Sequence, residues 1–479
     1  MENIRVERKQ WMFIVVVIFM LMVTSCSTSE VDGRNKSGLP DPKAGAQTRY
    51  EGEMSKELPF VYTTKKELSI TFNGMGDKDR MEQILDQLDL YDIKATFFVP
   101  GMRVAEEPDI AKEIVSRGHE LENNTLNRLD LTKLSYAEIF KEIQLANEII
   151  EEKTGITPKY LRTKTGEYNE EVRIAAAQAG LDAVVYYSVN PQDWDMKDAQ
   201  TIAEYVSKYI TRGGIITLNS DVNPEVIKAI PLIAEAVKRV GYEIVPLGKL
   251  AAGGSERKLL AQIPGYDAAK RNKDYQQSKY EIIESKDTDK KEIALTFDDW
   301  GTDYKVTQIL DILREYDVKS TFFLRTNGVE RNPNLARAIV EEGHEVANHT
   351  YSHPVISDLT LEEIQDEVVK SHQVLTEAIQ QKPAMLFRPP TGEIDDKTAK
   401  IVAAAGYPSI ILYDVTSLDW DVSVSAEQIT STILKETENG SIILLHLLDE
   451  INTAEALPAV IQELKRKGYT FVKITDWMN

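Results

Sequence analysis

The sequence predicts an α/β fold made of two tandem (β/α)7 barrels with parallel strands, and three observations lead to this prediction. The chain has 479 residues, which is too long for one ordinary hydrophobic core. Its two halves repeat the same motifs in the same order. Within the second half, short β-branched or aromatic runs alternate with amphipathic segments, as expected for parallel strands joined by helices.

The repeat is visible in five pairs of short motifs. Asp298 of the second copy lies 225 residues after Asn73, which stands at the same place in the first copy. The matching pairs are ELSITFNG (67–74) with EIALTFDD (292–299), KATFF (94–98) with KSTFF (319–323), GHE (118–120) with GHE (343–345), TGE (165–167) with TGE (391–393), and DWD (193–195) with DWD (419–421). Because the spacing is kept throughout, the halves are predicted to be two whole domains of one fold.

We place the first domain at residues 58–250 and the second at residues 290–479, joined by a polar linker at residues 251–289. In the second domain, apolar runs indicate strands at 293–297, 320–324, 345–348, 385–387, 409–412, 441–445 and 470–474. Amphipathic stretches indicate helices at 304–316, 361–379, 397–405 and 454–467. This alternation predicts a barrel that is closed or nearly closed.

The first 26 residues resemble a bacterial lipoprotein signal peptide. Arg5, Arg8 and Lys9 precede a short apolar run that ends at Cys26, and a small residue stands before this cysteine. The run is short for a membrane span. We therefore expect Cys26 to carry a lipid and a flexible tether to follow at residues 27–57, with an uncleaved anchor helix as the alternative. Either arrangement predicts an extracytoplasmic protein anchored to a bacterial membrane.

Composition excludes one class of function. The chain carries 77 acidic and 56 basic residues, which gives a net charge of −21. This negative charge argues against binding to the phosphates of nucleic acids as the main activity. Cys26 is the chain's one cysteine, so no intramolecular disulfide can form and stability must come from packed cores.

Polar side chains follow the predicted strands of the second domain. In chain order they are Asp298 and Asp299, His349 and His353, Arg388, Asp419, and His446. In a parallel barrel the carboxyl ends of the strands meet on one face, so we expect these side chains to form one cluster.

A carboxylate with two imidazoles is a typical ligand set for zinc or a similar divalent ion that keeps open positions for water. Asp299, His349 and His353 fit this set. The two adjacent aspartates also suit different tasks, because successive side chains diverge at a strand end. One can hold the metal while the other takes a proton.

With these residues the second domain resembles the polysaccharide deacetylase family, also called the NodB-homology or carbohydrate esterase family 4 domain. Five ordered motifs carry the resemblance: TFDD (296–299), HTYSH (349–353), RPPTG (388–392), SLDW (417–420) and LLH (444–446). The resemblance implies a NodB-type barrel for each copy, and a deacetylase that uses one divalent metal ion, zinc favoured, with cobalt or nickel as alternatives.

The resemblance also implies a role for each motif residue. Asp298 would be the general base, oriented by Arg388, and His446 the general acid, tuned by Asp419. Asp299, His349 and His353 would hold the metal. Trp420 and Leu444 would line the acetyl pocket, with a backbone N–H near Thr391 as oxyanion donor. These three sets of roles describe a hydrolase of an unactivated amide.

The domain departs from the family pattern at two positions. Thr391 stands where an aromatic residue commonly follows the paired prolines, and Trp300 follows the aspartate pair where glycine is usual. Loss of the aromatic removes a sugar-stacking wall but leaves the backbone donor, so the departure bears on substrate preference. Trp300 could replace that wall or pack at the barrel rim.

The first copy has lost the residues of the predicted site. Opposite Asp298, Asp299, His349, His353 and His446 stand Asn73, Gly74, Asn124, Arg128 and Asn219. An asparagine can neither act as a base nor shuttle a proton, so we predict that the first domain is catalytically inactive. Two interpretations of its role stay open: a packing or spacing role, or a groove that still binds glycan through Trp194.

Three other histidines are predicted to lie outside the site. His119 and His344 occupy matching positions in the two copies although only one copy keeps the site, so we expect core or turn histidines. His372 lies in a charged helical stretch, and we expect it to be a solvated surface residue.

The function implied is removal of acetyl groups from an N-acetylated cell-surface polysaccharide, with peptidoglycan N-acetylglucosamine favoured over poly-N-acetylglucosamine or chitin-like oligomers. Two alternatives remain: a non-catalytic glycan-binding surface lipoprotein and a C–N hydrolase that acts on a small amide. Intact Asp298 and His446 argue against pure binding, because binding needs neither a base nor an acid. The expected lipid tether argues for a surface polymer.

Overall fold

A computed structural model describes residues 48–478 of the chain. The predicted signal peptide with Cys26, and residues 27–47 of the predicted tether, lie outside the described residues. Between residues 48 and 478, no helix combines the length and the apolar character needed to cross a membrane.

The first domain alternates parallel strands with helices. Its strands are β1 (Lys56–Leu58), β2 (Glu67–Asn73), β3 (Thr96–Val99), β4 (Glu120–Asn123), β5 (Tyr160–Leu161), β6 (Ala183–Val185), β7 (Ile215–Asn219) and β8 (Glu243–Ile244). Its helices are α1 (Lys78–Leu90), α2 (Gly101–Glu106), α3 (Pro108–Ser116), α4 (Tyr136–Thr154), α5 (Glu170–Gln178), α6 (Ala199–Tyr209), α7 (Glu225–Arg239) and α8 (Leu247–Ala252).

The second domain repeats this pattern. Its strands are β9 (Glu281–Ile283), β10 (Glu292–Asp299), β11 (Thr321–Leu324), β12 (Glu345–Asn348), β13 (Leu386–Phe387), β14 (Ser409–Ile411), β15 (Val415–Thr416), β16 (Ile442–His446) and β17 (Thr470–Val472). Its helices are α9 (Asp303–Glu315), α10 (Thr326–Arg331), α11 (Pro333–Glu341), α12 (Leu361–Ile379), α13 (Asp396–Ala404), α14 (Ala426–Glu436) and α15 (Thr453–Arg466).

Each domain forms one half-barrel sheet of parallel strands, so the predicted NodB-type α/β fold is confirmed for both copies. The first sheet has the order β1-β6-β5-β4-β3-β2-β7, with β8 paired to β2; the second has the order β15-β16-β10-β11-β12-β13-β14-β9, with β17 paired to β10. The central strands β2 and β10 are buried along nearly their whole length, because helices cover one face and barrel-interior side chains the other.

Two edge strands correct the predicted boundaries. β9 lies inside the stretch predicted as linker (residues 251–289), where it pairs with β14. β1 begins inside the stretch predicted as tether (residues 27–57) and pairs with β6 in the same way. The boundaries were wrong here because a strand of three mostly exposed residues has no periodicity of its own, and its stability comes from the neighbouring strand.

The middle of the predicted linker, around Gly265 and Asn272, packs on the second domain, and this packing corrects the prediction for His372. His372 is fully buried, its Nδ1 lies 2.8 Å from the Tyr407 hydroxyl, and its Nε2 lies 2.8 Å from the carbonyl oxygen of Gly265. Burial lowers the pKa of this imidazole. The prediction of a solvated surface residue is therefore wrong. The charged face of α12 suggests solvent exposure, but Gly265, about 100 positions earlier in the chain, covers this histidine.

His119 and His344 are core histidines, as predicted. Both are buried, and the Nδ1 atom of each accepts a hydrogen bond of 3.1 Å from a backbone N–H, that of Ala95 or that of Ser320. Burial lowers the pKa of His119 to about 4 and that of His344 to about 3. Both imidazoles are therefore neutral near pH 7 and serve the fold.

A buried polar contact joins the two barrels into one compact unit over the described residues. Arg212 of the first domain forms an ion pair with Asp303 of the second, at 2% and 0% side-chain exposure. Asn334 donates to the backbone oxygens of Val61 and Arg212 at 2.8 and 2.7 Å. The first domain thus contacts the second where α9 begins, four residues after Asp299.

Candidate active site

The structure brings the predicted site residues of the second domain together at the carboxyl ends of the strands. β10 ends in Asp298 and Asp299, and its register with β16 places Asp298 beside His446. β12 and β13 are each followed by a site residue, His349 and Arg388 respectively. Parallel pairing therefore converts residues spread over about 150 positions into one cluster.

Asp299, His349 and His353 form a group that could hold a metal ion. One ligand atom from each residue lies within 4.8 Å of the other two. The His353 Nε2 atom is 3.7 Å from Asp299 Oδ1, and the two imidazole rings meet edge to face with centroids 4.9 Å apart. A carboxylate with two imidazoles suits zinc and related divalent ions.

The second ring nitrogen of His349 fixes its orientation. His349 Nδ1 lies 2.8 Å from the backbone oxygen of Arg388, so this nitrogen carries the proton and Nε2 is left as the free lone pair. Burial lowers the pKa of His349, which keeps the ring neutral. A neutral imidazole with an oriented Nε2 is the form that binds a metal.

The backbone at the metal-ligand positions is strained. Asp299 has φ 76° and His353 has φ 66°, in the left-handed region that side chains other than glycine rarely adopt. The counterpart of Asp299 in the first copy is Gly74, with φ 80°. The same backbone turn is therefore occupied by glycine where the ligand is lost, and by an aspartate where the ligand is present.

Arg388 holds the predicted base. Its guanidinium is fully buried and donates from Nη1 to Asp298 Oδ1 at 2.7 Å and to Thr296 Oγ1 at 2.9 Å. The remaining nitrogens donate to the carbonyls of Ile411 and Leu412, at 3.1 and 3.0 Å. Every arm of the guanidinium is thus fixed, and the Asp298 carboxylate is held in one orientation as an anion.

His446 and Asp419 form a second pair in the cluster, with His446 on the strand next to that of Asp298. His446 Nδ1 lies 2.8 Å from Asp419 Oδ1, and the His446 backbone N–H donates to Asp419 Oδ2 at 2.8 Å. Burial opposes protonation of the ring, but the Asp419 carboxylate outweighs it, and the pKa of His446 is raised. Asp419 also accepts from Thr453 at 2.5 Å. The pair therefore favours the protonated form of the imidazole.

The predicted pocket residues lie beside this pair. Trp420 is 40% exposed and packs edge to face on His446, with centroids 5.2 Å apart. Leu444 is buried on β16, two residues before His446. Thr391 is exposed and has φ 65°, which places its backbone in the left-handed region. A β-branched residue in this conformation is an outlier that marks a functional turn.

The structure favours rim packing for Trp300. Its indole lies against Gly328 of α10, where an added Cβ would come within 2.2 Å of the Trp300 Cδ1 atom, and it packs on the hydrophobic core of the second domain. Trp300 is half-buried. Of the two roles left open for this side chain, the contacts of the structure support the packing role.

Arg325 is a site neighbour that the sequence analysis missed. Its Nε atom lies 4.0 Å from Asp299 Oδ1. The signal was available, because Arg325 directly follows β11, the position in the chain that identified the other site residues. Arg388 and Arg325 thus set two guanidinium groups beside the three carboxylates of Asp298, Asp299 and Asp419.

The first copy keeps the frame of the site without its chemistry. Asn124 Nδ2 donates to the Arg162 carbonyl at 2.8 Å, which reproduces the contact that His349 Nδ1 makes with Arg388. Asn219 Nδ2 likewise donates to Asp193 Oδ1 at 2.7 Å. Arg162 remains fully buried, but Asn73 offers it an amide oxygen at 3.3 Å in place of a carboxylate.

Comparison with known proteins agrees with this geometry. The family model for polysaccharide deacetylase matches the chain at residues 61–184 and again at residues 285–410, which together make just over half of its length. A peptidoglycan-N-acetylglucosamine deacetylase of Bacillus cereus is 34% identical over 187 residues, which are 38% of this chain and 86% of the relative. The peptidoglycan-N-acetylmuramic acid deacetylase PdaA of Bacillus subtilis is 31% identical over 202 residues, 42% of this chain and 76% of the relative.

A solved structure of a peptidoglycan N-acetylglucosamine deacetylase in complex with a hydroxybenzamide compound is 34% identical to this chain, covering 41% of it and 92% of that protein, with a TM-score of 0.40. The two family matches fall one in each repeat. The chain therefore belongs to the polysaccharide deacetylase family, with one copy of the family's domain in each half, and it is a hydrolase that acts on amide C–N bonds.

Proposed function

We propose that the second domain removes acetyl groups from an N-acetylated cell-surface glycan by metal-dependent hydrolysis, and that peptidoglycan N-acetylglucosamine is the favoured substrate. One observation carries the proposal: a carboxylate fixed by Arg388 and an imidazole fixed by Asp419 lie in one cluster with the Asp299, His349 and His353 group. A base and an acid beside a cation site are the parts that amide hydrolysis requires.

Asp299, His349 and His353 would hold one divalent ion, with zinc favoured and cobalt or nickel as alternatives. The fixed tautomer of His349 supports this fit. When bound, such an ion lowers the pKa of water and polarises a carbonyl oxygen. The chain's own residues supply the remaining steps.

Asp298 takes the proton of the attacking water. Its carboxylate is oriented because Arg388 donates to Oδ1, which leaves Oδ2 to accept the proton. His446 then donates a proton to the departing amine, which is a poor leaving group until it is protonated. The raised pKa of His446 suits this task, since it favours the protonated ring.

The neighbouring residues place the acetyl group and its oxyanion. Trp420 and Leu444 line the space beside His446 and would contact the methyl group. The Thr391 backbone, held in its left-handed turn, would offer an N–H to the oxyanion, and one donor of this kind contributes about 3 to 4 kcal/mol to transition-state stabilisation.

Two further parts of the proposal concern the whole chain. The first domain is proposed to be catalytically inactive, because asparagines stand where the base and the acid would be. The chain is proposed to be extracytoplasmic and held on a bacterial membrane by a lipid on Cys26, which suits an enzyme that acts on an insoluble wall polymer. Relatives named for peptidoglycan support the choice of polymer.

The test is acetate release by the purified soluble chain that starts at Ser27. We would supply N-acetylglucosamine oligomers and isolated peptidoglycan, with and without a chelator, beside an Asp298→Asn variant as control. Acetate release that the chelator abolishes, zinc restores and the variant lacks is the expected result. Metal-loaded protein that releases no acetate from any glycan would refute the proposal and favour the binding or small-amide alternatives.

A further inference from the structure

We propose that the first domain has a carbohydrate-binding site of its own, at the strand ends that correspond to the active site of the second domain, and that it takes a neutral, hydroxyl-rich segment of the glycan polymer. The identity of this polymer rests on the proposed function. The site consists of Asn124, Arg128, Asp221 and Trp194, with the tyrosine pair Tyr186 and Tyr187 at its edge.

The backbone of the lost active site is preserved in the first domain. Gly74 has φ 80° where Asp299 has 76°, and Arg128 has φ 55° where His353 has 66°. Arg128 is not glycine, so its left-handed backbone is held against its own conformational preference. The same turn thus presents a side chain to the end of the barrel in both copies, His353 in the second domain and Arg128 in the first.

In the first domain, an ion pair occupies the place that corresponds to the proposed metal site of the second domain. Arg128 Nη1 lies 2.6 Å from Asp221 Oδ2. The Asp221 carboxylate sits over Gly74, where an added Cβ would come within 2.3 Å of Oδ2. In the alignment of the two copies, Arg128 takes the position of His353, the proposed metal ligand. The Asp221 carboxylate occupies the space above Gly74, which corresponds to the space of the Asp299 side chain in the second copy.

This arrangement makes the site electrically neutral. Arg128 and Arg162 contribute two positive charges, and Asp193 and Asp221 contribute two negative charges. A site with balanced charges attracts neither a metal ion nor an anion, and the ligand set Asp299, His349 and His353 has no counterpart in it. The ligand that suits it is uncharged and polar.

Three atoms at this site are buried and have no hydrogen-bond partner among the described residues: Asn124 Oδ1, Arg128 Nε and Asp221 Oδ1. They are one donor and two acceptors. A sugar hydroxyl is itself a donor and an acceptor, so adjacent hydroxyls match this set. The Arg128 and Asp221 side chains are 19% and 27% exposed, so a small rotation presents the unpaired atoms to a ligand. A ligand would thereby satisfy groups that the protein leaves unpaired.

Aromatic side chains border the same place. Trp194 is 52% exposed and directly follows Asp193, whose carboxylate holds Asn219 at the end of β7. Tyr186 and Tyr187 stack on one another with centroids 4.0 Å apart, at the other border. An exposed tryptophan beside a polar floor offers an apolar face to a sugar ring and hydrogen bonds to its hydroxyls.

The consequence is a polymer that binds both domains of one chain. The two domains form one compact unit over the described residues, so a glycan strand long enough to reach both sites can occupy them together. Binding at the first site raises the effective concentration of acetylated sugar at the second. The effect applies to long polymers and disappears for oligomers too short to reach both sites.

The experiment counts binding sites. The full soluble chain with Asp298→Asn, loaded with zinc, is titrated calorimetrically with an N-acetylglucosamine tetramer. We expect two tetramers per chain, and Trp194→Ala weakens one of the two sites at least tenfold. Tyr209→Ala is the matched control, because Tyr209 is a similarly exposed aromatic at the far end of α6, about 16 Å along the helix; it keeps both sites. One tetramer per chain, or two unchanged sites in Trp194→Ala, would overturn the proposal.

A kinetic comparison separates this proposal from the deacetylase proposal. In the active chain, Trp194→Ala raises KM for peptidoglycan about tenfold and leaves kcat within twofold, while Tyr209→Ala changes neither. An active parent chain whose KM is unaffected by Trp194→Ala overturns the binding site alone. A parent chain that releases no acetate, but binds two tetramers, overturns the deacetylase proposal alone.

Discussion

Arg212 and Asp303 are the contact whose loss should weaken the protein most. Asp303 begins α9 of the second domain, and its carboxylate is fully buried. Besides Arg212 it accepts hydrogen bonds from Tyr242 of the first domain and from Asn332 and Thr307 of the second. The perturbation is Arg212→Met, which keeps an unbranched stem and removes the guanidinium with its charge.

The expected loss of stability follows from burial. Removing one partner of a buried ion pair destabilises a protein by about 3 to 5 kcal/mol, because an uncompensated charge remains. Asp303 keeps four neutral donors, the three side chains and the backbone N–H of residue 212, each of which contributes about 1 kcal/mol, so we expect a value near the lower end, about 3 kcal/mol. Adding Asp303→Asn removes the stranded charge but keeps an acceptor for these donors, and it should recover at least half of the loss.

The assay is urea unfolding of the single and double variants, which yields the coupling free energy between the two residues. The control is Lys66→Met, which breaks the ion pair of Lys66 with Asp311, a contact between the same two domains with side chains 28% and 42% exposed. We expect the control to lose less than about 1 kcal/mol. Equal losses in Arg212→Met and Lys66→Met would refute the reasoning from burial.

Four further predictions concern the site. Asp298→Asn lowers kcat by about 10²- to 10⁴-fold while zinc content, measured by elemental analysis, stays at one ion per chain. His353→Ala removes that ion and Arg128→Ala does not, since only the second domain has the ligand set. Asp419→Asn takes away the carboxylate that raises the pKa of His446, so the basic limb of the kcat/KM profile moves to lower pH. Thr391→Gly relieves a left-handed β-branched residue and raises the free energy of unfolding by about 1 kcal/mol, while kcat falls because the turn is less rigid.

The regular elements were predictable because their signals are local. Helix α12 has the predicted bounds, Leu361–Ile379: Thr360 and Glu363 form a capping box at its start, and Gln380 takes the left-handed conformation at its end. The edge strand β9 was missed because its order depends on β14, more than 120 residues away. Helix α12 was predictable because its signals lie within the helix, and β9 was not because its partner strand is far away in the chain.

The residues of the site also differ in whether they could be predicted from local sequence. The ligand candidates Asp299, His349 and His353 were visible as residues that follow strands, and the structure places them within 4.8 Å of one another. His372 was misplaced because nothing in its own helix shows that Gly265 covers it. The role of Trp300 was left open for a related reason, since its contact with Gly328 joins the loop after β10 to helix α10.

Comparison of the two copies indicates which strain belongs to the chemistry and which to the frame. The backbone is left-handed in both copies at the matching residues Arg128 and His353, in the loops that follow β4 and β12. This conformation therefore belongs to the shared fold and not to the chemistry of one copy. Asp299 is strained where the first copy has relaxed to Gly74, and Thr391 is left-handed whereas Thr165 is not among the residues with positive φ. A non-glycine residue held in this region costs about 1 to 3 kcal/mol. The second copy retains that strain at a metal ligand and at the proposed oxyanion donor, where a fixed orientation serves the reaction.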